Sequence, residues 1–165
     1  MDTLGFVKVF GNKTFSEMPF CDADALVLSQ ISYASWPDEY LRDPFSKSTK
    51  SIKIRDFKDR KDIKSLYENA VSGPLLTKLF RACVKSKRYH SLKVKYVKDV
   101  FDGERVIQFC AMTFMIRGVR PIITFRGTDT SLLGWKEDLQ LSFQKEISGQ
   151  LEAVSYIEKV AGLIG

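Results

Sequence analysis

The stretch SLKVKYVKDVFDGERVIQFCAMTFMIRGVRPIITFRGTD, residues 91–129, decides how the rest of the chain is read. Its first part, SLKVKYVKDVF, alternates apolar residues with lysines, the pattern of a strand with one wet face. Asp102-Gly103 is a strong short-range hairpin signal. The next run, ERVIQFCAMTFMIRG, is more continuously apolar and predicts a more deeply buried strand. RPIITFRG follows a turn at Gly118 and reads as a core strand over Pro121 to Phe125. Three strands in succession make a meander.

Working outward, the upstream half reads as helical. FSEMPFCDADALVLSQISYASW predicts a helix that Asp22 or Asp24 caps, with Ala25, Val27, Leu28, Ile31 and Ala34 as its apolar face. Trp36-Pro37 ends it. SIKIRDF is short and alternating, an edge strand or an extended connection. DRKDIKSLYENAV and SGPLLTKLFRACVKS predict two helices, with Pro74 in the first turn of the second and Leu75, Leu79, Ala82 and Cys83 as its buried stripe. Downstream of the meander, helices are expected near Ser131–Phe143 and from about Gly149 to Ile164. The expectation is an α/β chain of one domain over residues 1–165, mainly helical through residue 90, with strands and two helices over 91–165.

Totals exclude several classes. With 44% hydrophobic and 28% charged residues the chain has an ordinary globular composition, and no apolar run approaches the roughly 18 residues of a membrane span. MDTLGFVKVFGNK lacks the basic start and long apolar core of a signal peptide. Cys21, Cys83 and Cys110 are odd in number and widely spaced, which suggests reduced thiols in a cytoplasmic protein rather than a disulfide framework. One histidine and three scattered cysteines supply no plausible metal site, and no cofactor motif is visible. The net charge of +6 is uneven: residues 46–100 hold 16 Lys+Arg against 5 Asp+Glu.

The turn after the third strand has a mechanical logic of its own. Gly127 lets the backbone turn sharply, and Thr128 then offers an N–H and a hydroxyl at the carboxyl end of a strand. Donors fixed at such a point are what an oxyanion hole needs. The plainer alternative is a tight strand-to-helix turn with Thr128, Asp129 or Thr130 as N-cap. Glu137 and Asp138 are adjacent, so on a helix they point apart and make a poor acid–base pair.

FRGT, followed by Trp135 and Asp138 on a helix, resembles the class 3 lipases, which are α/β-hydrolases. A closer resemblance is to an uncharacterised bacterial family related to those lipases. Its motifs stand here as FSEMPF…DALVLSQISY (Phe15 to Tyr33), SKRY (Ser86 to Tyr89), QFCAMTF (Gln108 to Phe114) and FRGTD…GWKED. They run in the same order and span most of the chain.

That resemblance implies the N-terminal half of an α/β-hydrolase-like fold. It also implies a serine hydrolase acting on a lipid or ester in the full-length protein, with the nucleophile in a G-x-S-x-G elbow beyond Gly165 and the acid and histidine later still. No glycine in the 165 residues is followed two positions later by serine. His90 lies upstream of the turn and reads as a surface residue at a strand start. By the same resemblance Thr128 matches the oxyanion position, while Arg126, Gly127 and Asp129 support the turn. Trp135 lies with Leu132, Leu139 and Phe143 on one helical stripe, a lid face or core. Without its neighbouring strand, the strand ending at Phe125 keeps an open edge, so a homo-oligomer through that edge or through helix exchange is expected.

Two other readings stay open. The first is a non-catalytic, self-associating interaction module, motivated by the missing nucleophile. The second is nucleic-acid binding through the basic middle segment, with Lys93, Lys95 and Lys98 along a strand face. No base-reading motif accompanies them, which weighs against it.

Overall fold

In a computed structural model the chain is described over residues 1–46, 48–58, 61–104, 107–127, 139, 142–143 and 145–165. The described elements are helices α1 (Thr3–Phe10), α2 (Asp22–Ile31), α3 (Gly73–Lys85) and α4 (Ser148–Ile164), and strands β1 (Ile52–Lys53), β2 (Lys93–Asp102), β3 (Ile107–Met115) and β4 (Ile122–Arg126). Three short 3₁₀ segments, Asp38–Tyr40, Ile54–Phe57 and Lys61–Tyr67, join the helical half to the sheet.

The strands form one antiparallel sheet in the order β1-β2-β3-β4, so the chain mixes helices with a four-stranded sheet and contains the expected meander. The β2–β3 ladder ends at Asp102 opposite Ile107. Glu104 donates its N–H to the Asp102 carboxylate, an Asx turn that starts the hairpin. Between β3 and β4, Val119 N–H donates to the Ile116 carbonyl, and Gly118 sits at φ 78°, a turn conformation that a side chain would strain.

The sheet is covered on both faces. Val94, Val97, Cys110, Met112 and Phe114 join a core with residues of α1, α2 and α3. Phe109 and Ala111, the alternate residues of β3, pack instead with Tyr156 and Val160 of α4. Period-two alternation sends β3 residues into two different cores, which is why its sequence is almost continuously apolar.

β2 carries an irregularity that its alternating sequence hides. Lys95 pairs with Thr113, but Lys98 pairs with Ala111, so one extra residue is accommodated on β2. Tyr96 takes φ 55° there. The Tyr156 hydroxyl donates to the Tyr96 carbonyl at 2.7 Å, and having spent its one proton it accepts from Thr113 at 2.9 Å. α4 is thereby fastened to the bulge. Because of the bulge, Lys98 keeps the same face as Lys95, and it ion-pairs with Glu152 of α4. The lysines therefore do not form one solvated row.

Several local expectations change. α2 begins after an N-cap at Cys21, with Asp24 bonding back to the Cys21 N–H, and it stops at Ile31 rather than Trp36. The predicted helix at Asp59–Val71 is, in its described part, a 3₁₀ segment that leads into α3. Pro74 stands in the first turn of α3 as expected, but Leu75 is exposed and Leu76, Leu79, Phe80 and Cys83 form the buried stripe. α1 was not anticipated; Asp2 caps it by accepting from the Gly5 N–H.

Candidate functional site

The FRG turn begins where β4 ends. Asp99 of β2, Cys110 of β3 and Arg126 of β4 are register partners across three strands and share the sheet face toward α2 and α3. Arg126 reaches across the middle strand and closes a two-pronged fork on Asp99, with N–O distances of 2.9 and 3.2 Å. A bidentate guanidinium–carboxylate pair fixes direction as well as distance. Arg126, which the sequence singles out beside Gly127, thus takes Asp99 of β2 as a partner.

Beneath the fork, burial pushes the Cys110 thiol up to about 12, with Arg126 acting in the opposite direction and Asp99 adding to the rise. This thiol is packing and not a nucleophile.

The fork lines a cavity of about 200 Å³ at the carboxyl end of β4. Tyr33 and Ser35, just after α2, form one wall, and Asn69, Ala70 and Val71, just before α3, form another. Gln108 and Phe101 complete it from the sheet. Gly127 lies against this site: a Cβ placed there would stand 3.1 Å from the Tyr33 hydroxyl. The turn thus passes close to a phenol, and glycine allows that approach without a side chain in the way.

Thr128, Asp129, Trp135 and Asp138 lie outside the described residues, as does Leu132. Of the stripe expected with Trp135, Leu139 and Phe143 are exposed, so those two are not core. Sequence reasoning missed Tyr33 and Asp99. Tyr33 closes the first motif and was there to be noticed; Asp99 sits in a run of ordinary strand sequence and carries no local signal.

A second polar cluster joins two other motifs. Arg88, wholly buried, donates through Nε and Nη2 to the two carboxylate oxygens of Asp24, which is equally buried. Its remaining N–H groups go to the carbonyls of Lys13, Thr14, Met18 and Pro19, and Phe15 stacks on the guanidinium at 4.1 Å. The Tyr89 hydroxyl and the Cys21 N–H also donate to Asp24. Burial disfavours the Asp24 carboxylate, yet the bonds from Arg88, Tyr89 and Cys21 outweigh it and hold the group below the usual carboxylate range. Burial and the Asp24 charge push Tyr89 far above the ordinary phenol value. Every donor and acceptor is spent internally, so this cluster is a clamp and not a reactive site.

No serine–histidine pair is formed among the described residues. His90 is half-buried, and its Nδ1 faces the carbonyls of Ser86 and Lys87, which requires the proton on that nitrogen. The Ser86 hydroxyl donates to the Cys83 carbonyl and accepts from the Tyr89 N–H. Neither is available as a nucleophile or base toward the other. Also among the described residues, no group of three or more His, Cys, Asp or Glu is placed to hold a metal, and no helix is long and apolar enough to cross a membrane.

The Mbeg1-like family model matches residues 83–164, 82 of the chain's 165 residues. The matched region runs from within α3 through β2, β3 and β4 to α4 and contains Arg126 and Gly127. No curated protein and no solved structure matches the chain.

Proposed function

We propose that these residues form the oxyanion-side half of a lipase-like serine hydrolase, whose serine, acid and histidine come from outside the 165 residues. The observation that carries the reading is the Arg126–Asp99 fork beside Gly127. It ties Arg126, the residue before Gly127, to β2 at the carboxyl end of β4, next to a cavity lined in part by polar groups. The similarity of residues 83–164 to the Mbeg1-like family, a lipase-related family name, supports the same reading.

In this mechanism a serine hydroxyl, activated by histidine, attacks the carbonyl carbon of an ester. The alcohol leaves with the proton the histidine returns, and water then releases the acid. Thr128 stabilises the tetrahedral oxyanion through its N–H and hydroxyl. Arg126 touches no reacting atom; it holds the turn that aims those donors.

The test reads the gene past the Gly165 codon. A further strand running into G-x-S-x-G supports the proposal, and a stop codon overturns it. In the extended protein, Thr128→Ala lowers ester turnover by roughly 10²–10³ if the hydroxyl is one of the donors, and Thr128→Ser restores it.

A second reading, a self-associating interaction module, is favoured by one observation. α4 buries Tyr156 and Val160 but presents Leu151, Val154 and Ile157 to solvent. An extended protein that no active-site serine probe labels, yet that self-associates through this face, selects the second reading.

A further inference from the structure

At the other end of the sheet from the FRG turn lies a cavity of about 680 Å³. Lys93, at its edge, stands six positions before Asp99 on β2, a separation of about 20 Å along the strand. Four cations line the cavity: Lys53 and Arg55 around β1, Lys93 at the start of β2, and Arg117 in the turn after β3. Its apolar lining includes Met115 and Ile116. Among the described residues, no acidic one lines it.

The arrangement works against the sheet that bears it. Lys53 and Lys93 are direct register partners on neighbouring strands. Like charges placed opposite one another repel and weaken the pairing. Among the described residues, none of Lys53, Lys93 and Arg117 forms an ion pair, and Arg55 has only the adjoining Asp56 at 4.0 Å, with both side chains more than half exposed. Such an exposed pair neutralises little. Elsewhere the sheet pairs its charges across elements: Lys98 meets Glu152, and Arg126 meets Asp99. Here, three chain segments bring cations to one hollow, and among the described residues the exposed Asp56 beside Arg55 is the one counter-charge they meet.

We propose that this cavity binds a phosphomonoester. A phosphomonoester carries close to two negative charges and three acceptor oxygens, which several converging Lys and Arg donors satisfy. Met115 and Ile116 supply an apolar surface for the carbon portion of the ester, which inorganic phosphate lacks. A soluble phosphate ester and the headgroup of phosphatidic acid share this chemistry. The site is independent of the hydrolase reading, because it uses none of the residues at the FRG turn.

Two arms test the proposal with the whole chain. Glycerol 3-phosphate is titrated calorimetrically, and co-sedimentation is measured with phosphatidylcholine vesicles with and without phosphatidic acid. Binding of the soluble ester identifies a free phosphate ester as the source, and binding only to phosphatidic acid vesicles identifies the lipid headgroup. In either case Lys93→Gln with Arg117→Gln weakens binding about tenfold for each cation removed. Lys85→Gln, at the exposed end of α3, leaves it unchanged. All three positions are exposed, so the variants fold, and circular dichroism confirms it. Absence of binding on both arms overturns the proposal. So does equal weakening by Lys85→Gln, or binding to a single-stranded oligonucleotide with neither phosphate probe bound, which would indicate a general basic surface.

Discussion

Arg88 grips Asp24, 64 residues earlier in the chain, through two charge-assisted hydrogen bonds in a place with no solvent access to either side chain. The pair ties the turn after α3 to the start of α2. Through the carbonyls of Lys13, Thr14, Met18 and Pro19 it also fixes the connection between α1 and α2. Removing one partner leaves the other as an uncompensated buried charge, so Asp24→Asn or Arg88→Ala should lower stability by about 3–5 kcal/mol. Arg88→Lys should recover little, because one ammonium cannot reproduce a fork that also reaches four carbonyls. Urea denaturation checks this. A cost below about 1 kcal/mol for Arg88→Ala would show that the clamp is dispensable.

The same clamp sets an acid limit. The folded-state acidity constant of Asp24 is depressed. A depressed carboxylate contributes stability above its unfolded value, near about 4, and that contribution is lost as pH falls through the lower folded value. Glu17 acts in the same direction: the Thr14 N–H, the Thr14 hydroxyl and Lys87 together hold its carboxyl down to about 2. Melting temperature should therefore change little through mildly acidic pH and fall as the solution is taken below the ordinary carboxylate range. Glu17→Gln is an exposed change that folds normally, and it should flatten part of that fall. A melting temperature that already drops steeply from neutral pH downward would contradict the assignment.

The three thiols should separate by reactivity. Burial lifts Cys83 far above the ordinary thiol range and Cys110 to about 12, while Cys21 is partly exposed. At pH 8 a thiol with that acidity holds on the order of 10⁻⁴ of its population as thiolate, the reactive form. Ellman's reagent should titrate one thiol quickly in the native protein and all three after unfolding. Rapid modification of Cys110 in the folded state would mean that the row beneath Arg126 is open to solvent, and the site geometry would need redrawing.

Much of the fold was legible because local chemistry and tertiary packing agree there. The strand at β2, the continuous apolar run of β3, the turn at Gly118 and Pro74 in the first turn of α3 all stand where the sequence puts them. What was not legible depends on partners distant in sequence. Leu75 was expected in the buried stripe, and only the packing of α3 against its neighbours decides that Leu76 goes inside instead. The bulge at Tyr96 carries no glycine to announce it, because Tyr156, 60 residues later, holds the carbonyl in place. For the site, the sequence singles out Arg126, but its partner Asp99 is a cross-strand neighbour that no spacing rule names.

α4 gives the last prediction. Its inner face is well used: Tyr156 and Val160 are buried, and Lys98 pairs with Glu152. Its outer face is also apolar, with Leu151 and Val154 each 55% exposed and Ile157 45% exposed. A helix apolar on two sides is built for a position between two layers. β4, beside it, is an edge strand of the described sheet, and Phe125 on β4 is 40% exposed. In solution the 165-residue chain should cover these surfaces with a second copy, giving a dimer or larger species by light scattering. Val154→Asp places a charge in the centre of the stripe without touching the inner packing, so it should shift the population toward monomer while leaving the circular dichroism spectrum intact. A wild-type chain that is already a monodisperse monomer would rule out this use of the face.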